Sequence, residues 1–200
     1  MWDKEFLIEK LTKDLPGEKA HFDFYPYRNQ HVNATEATKQ AAVGIHLFFD
    51  QGVCYFFLIK RAVYQGHHSG QIAFPGGKSD PTDIDLIHTS RRESFEELGI
   101  LLTLGEYIRT LTPVYIPVSN FKVHPIVFLH MEKPEIKNNH EVENVFEISI
   151  NELIEIKNTS KINIETNGMK LKNIPAFQFE ECQVWGATAL ILNELKEMFN

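Results

Sequence analysis

Apolar positions recur at helical spacing near both ends of the chain and alternate or run together between them. Phe6, Leu7 and Leu11 share one side of an amphipathic helix predicted over residues 2–14. Residues 16–40 are polar and mixed, with Pro16, Gly17 and Pro26, and read as a long surface connection. Residues 41–49 and 53–61 are apolar, β-prone runs joined at Asp50-Gln51-Gly52, a hairpin signal. Residues 62–75 read as loop and short strand, and 84–98 as a helix. Residues 101–118 form one or two strands broken at Pro113 and Pro117, and strands follow at 123–130 and 142–150. A short helix is predicted over 151–156. Strands at 161–166 and 169–172 flank Asn167-Gly168, the strongest short hairpin signal of the chain. The last helix, 184–199, carries Ala187, Leu190, Ile191, Leu195 and Met198 on one stripe. Hairpins dominate over strand–helix–strand units. The expected fold is α+β, a mixed sheet with helices packed on its faces.

The helix at 84–98 carries the candidate chemistry. At about 100° per residue, Ile84, Ile87, Ser94, Phe95 and Leu98 form a stripe predicted to face the core. Glu93, Glu96 and Glu97 fall together on the opposite side. Three crowded carboxylates repel one another unless a cation sits between them, and a hard divalent ion with oxygen ligands is the natural occupant. The competing reading is a solvated acidic face. Gly99 stops the helix, so the acids lie in its last two turns, where the negative dipole end disfavours them. Arg91 falls inside the apolar stripe, where leucine is expected.

Composition narrows the classes. Two hundred residues with 43% hydrophobic content and 15 Phe suffice for one well-filled core, so residues 1–200 are expected to form a single domain with an N-terminal helix and extension over 1–40. A formal charge of −7 argues against binding a nucleic-acid backbone. A small phosphorylated substrate stays compatible, because a metal supplies the positive charge. Cys54 and Cys182 read as buried free thiols in a reducing compartment, and a cytoplasmic location is expected. No cysteine or histidine spacing suggests zinc. The charged amphipathic start lacks the apolar core of a signal peptide, and no apolar run is long enough to span a membrane.

The segment 76–100 resembles the Nudix box, G-x5-E-x7-R-E-U-x-E-E-x-G-U, where U is bulky and apolar. Gly77, Arg92, Glu93, Glu96, Glu97, Gly99 and Ile100 match it. Asp83 stands in place of the first glutamate, its spacing to Arg92 is one residue longer, and Ser94 occupies an apolar position. Phe57-Leu58-Ile59-Lys60-Arg61-Ala62, His68, Gly70 and Ala73-Phe74-Pro75-Gly76-Gly77 are similar to the signature of the coenzyme A pyrophosphatase branch. Glu141-Val142, Val145-Phe146 and Trp185-Gly186-Ala187-Thr188-Ala189 are similar to later parts of it. Gly66 stands where that signature has arginine, and Ile59 where it has threonine.

The resemblance implies a Nudix-type α/β/α sandwich and Mg2+- or Mn2+-dependent hydrolysis of a diphosphate linkage in a nucleoside diphosphate derivative. Coenzyme A or acyl-coenzyme A would give 4′-phosphopantetheine and adenosine 3′,5′-bisphosphate. Gly66 keeps NTPs, dNTPs, ADP-ribose and nucleotide sugars open, and a non-catalytic nucleotide-sensing module is a third reading. Glu93, Glu96 and Glu97 would hold the metal, with a backbone carbonyl near Gly76 or Gly77 as a further oxygen. Arg92 would orient a glutamate. The water's proton would pass to a box carboxylate, first Glu93, or to Glu141 or Glu143. Arg61, His68, Gly70, Phe74, Gly76 and Gly77 would meet the substrate, with Lys60 near a phosphate. Asp83 reads as a cap or loop-ordering residue and Trp185 as core packing. A homodimer remains open.

Overall fold

The computed structural model describes residues 2–24, 34–63, 68–155, 160–166 and 169–200. Helix α1, Lys4–Thr12, starts at Asp3, whose carboxylate accepts the Phe6 N–H at 2.8 Å, and it buries Leu7 and Leu11 while Phe6 stays exposed. Gly17–Phe24 is a 3-10 helix that buries Ala20, His21 and Phe24. This part of the expected surface connection is therefore packed structure. The reason lies in the last helix, where the Asn193 amide donates to the Ala20 carbonyl and the buried Glu194 carboxylate accepts the Gly17 N–H.

The main sheet is built on β1, Lys39–Asp50, and β2, Val53–Arg61. They form the expected hairpin, with Gln51 and Gly52 both at positive φ, the conformation that matches strand twist. β3, Ile72–Ala73, lies against β2, and β4, Gly76–Lys78, lies antiparallel to Ala41–Val43 of β1. After α2, Leu86–Leu98, residues 101–118 divide into β5, Glu106–Thr110, and β6, Val114–Ile116. Both pair with β7, Phe121–His130, which runs parallel to β1. β8, Val142–Ser149, pairs with β2 and leads into α3, Ile150–Glu155.

A second sheet holds β9, Ser160–Thr166, β10, Met169–Gln178, and β11, Gln183–Trp185. β10 runs beyond the expected 169–172 because Ile174, Ala176 and Phe177 are buried. β11 takes the first residues assigned to the final helix, so α4 is Gly186–Phe199. The Asn167-Gly168 turn and residue 156 lie outside the described residues.

Strand alternation separates two apolar layers. Ile45 and Leu47 face α1 and α4, in a cluster with Leu7, Leu11, Leu190 and Leu195. Ala42 and Phe48 face the other way, toward Leu86, Ile87 and Leu98 of α2. The architecture is α+β, a mixed sheet with helices on both faces. Cys54 and Cys182 are free and buried, and burial pushes each thiol up to about 12. Among the described residues no helix is long and apolar enough to cross a membrane.

Candidate active site

α2 begins two residues later than its sequence suggests. Asp85 caps it by accepting the His88 N–H at 2.7 Å, and Gly99, left-handed at φ 73°, ends it. Ile84 therefore precedes the helix and is 87% exposed, and Phe95 is 43% exposed. The inner face is Thr89, Ser90, Ser94, Glu97 and Leu98. The expected apolar stripe is thus largely polar, because β1 offers it Gly44 and His46. Ser94 Oγ donates to the Ser90 carbonyl at 2.7 Å. Its one proton being spent, it accepts from His46 Nε2 at 2.8 Å. A neutral His46 then accepts at Nδ1 from His130 Nε2, 2.9 Å away. Burial lowers the pKa of both rings, which keeps them neutral. A Cβ on Gly44 would come within 2.6 Å of His46 Nε2. Arg91 fills the expected leucine position by stacking 4.5 Å over the Phe128 ring and donating to the carbonyls of Leu102, Leu104 and Gly105.

The three glutamates differ in exposure. Glu96 is half exposed at the side chain, Glu93 is mostly covered, and Glu97 is 1% exposed. Glu97 Oε2 accepts the Gly76 N–H at 2.7 Å, and its Oε1 lies 3.4 Å from an Arg61 guanidinium nitrogen. The other Arg61 terminal nitrogen donates to the Gly76 carbonyl. Burial is the main force raising the Glu97 pKa, to about 7; Arg61 and the Gly76 N–H oppose it, and Glu93 and Glu141 add to it. Burial likewise raises Glu93 against the pull of Arg92. A Cβ on Gly77 would fall 2.4 Å from Glu93 Oε2, so the missing side chain lets the β4 backbone lie on this carboxylate.

Arg92 is the hub of the loop that precedes α2. Its bidentate partner is Asp83, through Nε at 2.9 Å and a terminal nitrogen at 3.0 Å, rather than a glutamate. The remaining terminal nitrogen donates to Glu93 at 2.8 Å and Glu96 at 3.1 Å. Asp83 also accepts from Thr89, His88 and the Asp80 N–H. Arg92 above all holds its carboxyl well below the usual carboxylate range. Asp83 orders the loop as expected, and the cap is Asp85.

Arg61, Gly76 and Gly77 also line a cavity of about 250 Å³ on the opposite side of the sheet from α2. Ala41, Val43, Phe74, Ile116, Phe121 and Val123 give it apolar walls, and Ala187, Thr188 and Ile191 of α4 close it. Lys78 lines its rim, and Lys39 Nζ lies 5.6 Å over the Phe121 ring. His68 lines it as well, held by Gln71 at 3.0 Å and Ser119 at 3.2 Å. Gly70 turns the chain at φ 67° beside the cavity without lining it. Gly66 and His67 lie outside the described residues. The Glu141 carbonyl accepts the Ala62 N–H at 2.8 Å, which puts this residue beside the end of β2. Glu143 pairs with Lys60 at 2.7 Å on the surface, and Trp185 sits in β11 opposite Ala176.

The donor set fits a hard divalent cation. It offers carboxylate and carbonyl oxygens from Gly76, Glu93, Glu96 and Glu97, all hard donors. Glu97 is a buried acid answered by a guanidinium, and the β4 backbone leaves room on Glu93 that a Cβ would fill. In the present side-chain arrangement Arg92 bridges Glu93 and Glu96 while Arg61 pairs with Glu97, and among the described residues no three acidic, histidine or cysteine groups converge on one metal-sized point.

The structure brings the expected glutamates, glycine pair and Arg61 together where α2 meets β4; His46, His130, the Asp83–Arg92 pairing and the α4 wall were not anticipated. The serine at an apolar box position and the arginine in the stripe were the visible signals of a polar layer under α2.

A family model for the NUDIX domain matches residues 38–166. The mitochondrial coenzyme A diphosphatase NUDT8 of Mus musculus is 34% identical over 159 residues, 76% of this chain and 73% of that protein. An uncharacterized Nudix hydrolase, NudL, of Yersinia pestis (strain Pestoides F) is 34% identical over 141 residues, 70% of each chain. The crystal structure of a MutT protein from Methanosarcina mazei Go1 superposes with a TM-score of 0.53 at 18% identity, covering 82% of this chain and 96% of that one, a likeness of fold.

Proposed function

The chain belongs to the Nudix family, and we propose that this pyrophosphohydrolase cleaves the diphosphate of coenzyme A or its thioesters. The products are 4′-phosphopantetheine and adenosine 3′,5′-bisphosphate. The observation that carries this reading is the junction at Gly76. On one side of the sheet lie Glu93 and Glu97, and on the other an apolar cavity, with Arg61 reaching both. A diphosphate fits between acids that bind metal and a slot that takes an organic arm. The 34% identity to a protein named as a coenzyme A diphosphatase supports the substrate class. We read residues 1–200 as one such domain.

Glu93, Glu96, Glu97 and the Gly76 carbonyl are the groups that would hold Mg2+ or Mn2+, which supplies charge neutralisation for the diphosphate and a more acidic water. Arg92, anchored by Asp83, fixes the position of Glu93 and Glu96 directly. Glu93 takes the proton of the attacking water, its carboxylate held by Arg92 at 2.8 Å against the Gly77 backbone. Glu141 stands beside Glu97 as the second carboxylate for that task. Arg61 and His68 face the diphosphate from the cavity side, and Lys39 and Lys78 offer cations to the further phosphate. Gly76, Gly77 and Gly70 give the backbone its approach and turns, and Phe74 forms part of the floor.

The test is a hydrolysis screen of coenzyme A, acyl-coenzyme A, ADP-ribose, NADH and dNTPs with Mg2+, Mn2+ or chelator. Fastest cleavage of a coenzyme A compound, dependent on the metal, is the expected result. Faster turnover of another compound reassigns the substrate, and no turnover of any favours a nucleotide-sensing role.

A further inference from the structure

We infer that Arg61 is a resident counter-ion of the resting site, which a divalent cation must displace and which is thereby released toward the cavity. This rests on the proposed metal-holding role of Glu97 and Gly76. The guanidinium spans the Gly76 carbonyl and Glu97 Oε1, oxygens contributed by two different elements. Glu97 is 1% exposed, and a carboxylate so buried is costly unless a cation answers it. Arginine supplies that charge permanently, because its guanidinium does not lose its proton in proteins. The oxygens Arg61 occupies are those a hard cation would take. Two like charges cannot share such a gap, since their repulsion at a few ångströms outweighs a surface interaction. Occupation by Arg61 and by a dication are therefore mutually exclusive.

The strand end makes the exchange feasible. The Arg61 N–H is fixed to the Gln71 carbonyl at 3.1 Å, so the backbone stays in place while the side chain moves. The same side chain already lines the cavity on its other flank. Displacement turns it from an acid and a carbonyl toward the anionic linkage of a bound substrate. One residue thus shields the acid when the site is at rest and meets phosphate when the site is loaded.

Binding of Mn2+ alone to the full, chelator-treated chain tests the exchange by calorimetry, with no substrate present. Arg61→Gln should bind Mn2+ about tenfold more tightly than wild type, a change of about 1.4 kcal/mol. Arg61→Lys, which keeps the charge and loses the fork, should also bind more tightly. In arginine-labelled protein, the Nε–H resonance that Arg61→Lys deletes should shift as one equivalent of Mg2+ is added. Unchanged or weaker Mn2+ binding by Arg61→Gln overturns the inference. So does wild-type affinity in Arg61→Lys beside tightening in Arg61→Gln, which would mean a distant field effect. An Nε–H resonance unmoved by bound Mg2+ overturns it as well. Mn2+ binding that Glu97→Gln leaves intact would instead strike the metal-site reading itself.

Discussion

Asp83 and Arg92 meet through two parallel hydrogen bonds of 2.9 and 3.0 Å, and the same guanidinium reaches Glu93 and Glu96. The loop before α2 is therefore tied to the carboxylates at its end by one side chain. Asp83→Ala should lower stability by about 2 kcal/mol, read as a fall in Tm, because it strands donors that are largely covered. It should also lower kcat with little change in KM, since no substrate contact is lost. Arg92→Lys should show the same split, because an ammonium cannot make the fork.

The adjacent glycines should fail differently. A Cβ on Gly76, at φ 151°, would lie 2.3 Å from the Ala42 carbonyl oxygen, a backbone collision. Gly76→Ala should therefore cost folding, seen as loss of the cooperative thermal transition. The atoms nearest a Cβ on Gly77 are those of the flexible Glu93 carboxylate, the closest at 2.4 Å. Gly77→Ala should keep its Tm within a few degrees and lose roughly 100-fold in kcat, as Glu93 is pushed from its place.

Removing divalent ions with chelator should abolish hydrolysis while leaving the circular dichroism spectrum unchanged. Glu97→Gln should reduce kcat by roughly 1,000-fold, with partial recovery at high Mg2+. In chelator its Tm should equal or exceed that of wild type, because burial raises the Glu97 pKa to about 7 and so favours the neutral form that glutamine mimics.

Acid should loosen the polar layer under α2. Burial, then Arg91, pushes the His130 pKa from 6.5 down to about 4. Between those values the unfolded chain binds the extra proton, so this group's contribution is full above pH 6.5 and is lost as pH falls toward 4. His46 shifts in the same direction, by burial first and then by His130. Thermal melts across that range should show a steep acid loss in wild type. In His130→Gln the slope should be flatter, with roughly 2 kcal/mol less pH-dependent stability.

The elements most legible in the sequence were those fixed by local chemistry. Asp50-Gln51-Gly52 marked its hairpin because only certain residues accept positive φ, and Gly99 marked the end of α2 for the same reason. The glutamates were legible because they break a helix-dipole rule. The orientation of α2 was not, and Phe95 is the clearest case. Its periodicity points inward, but the inward positions go to Ser94 and Glu97, whose partners His46 and Gly76 come from distant strands. Apolar periodicity cannot report a helix face that is satisfied by hydrogen bonds. The Gly17–Phe24 helix was hidden likewise, since the carboxylate that anchors it, Glu194, lies at the far end of the chain.

The wall that α4 lends to the cavity, at Ala187, Thr188 and Ile191, lies outside the stretch matched by the family model. One wall of the cavity is thus carried on a different length of polypeptide from the carboxylates of α2. On the proposed function, exchanging side chains on that one turn of α4 should redirect the hydrolase to a new cargo without disturbing a single acid.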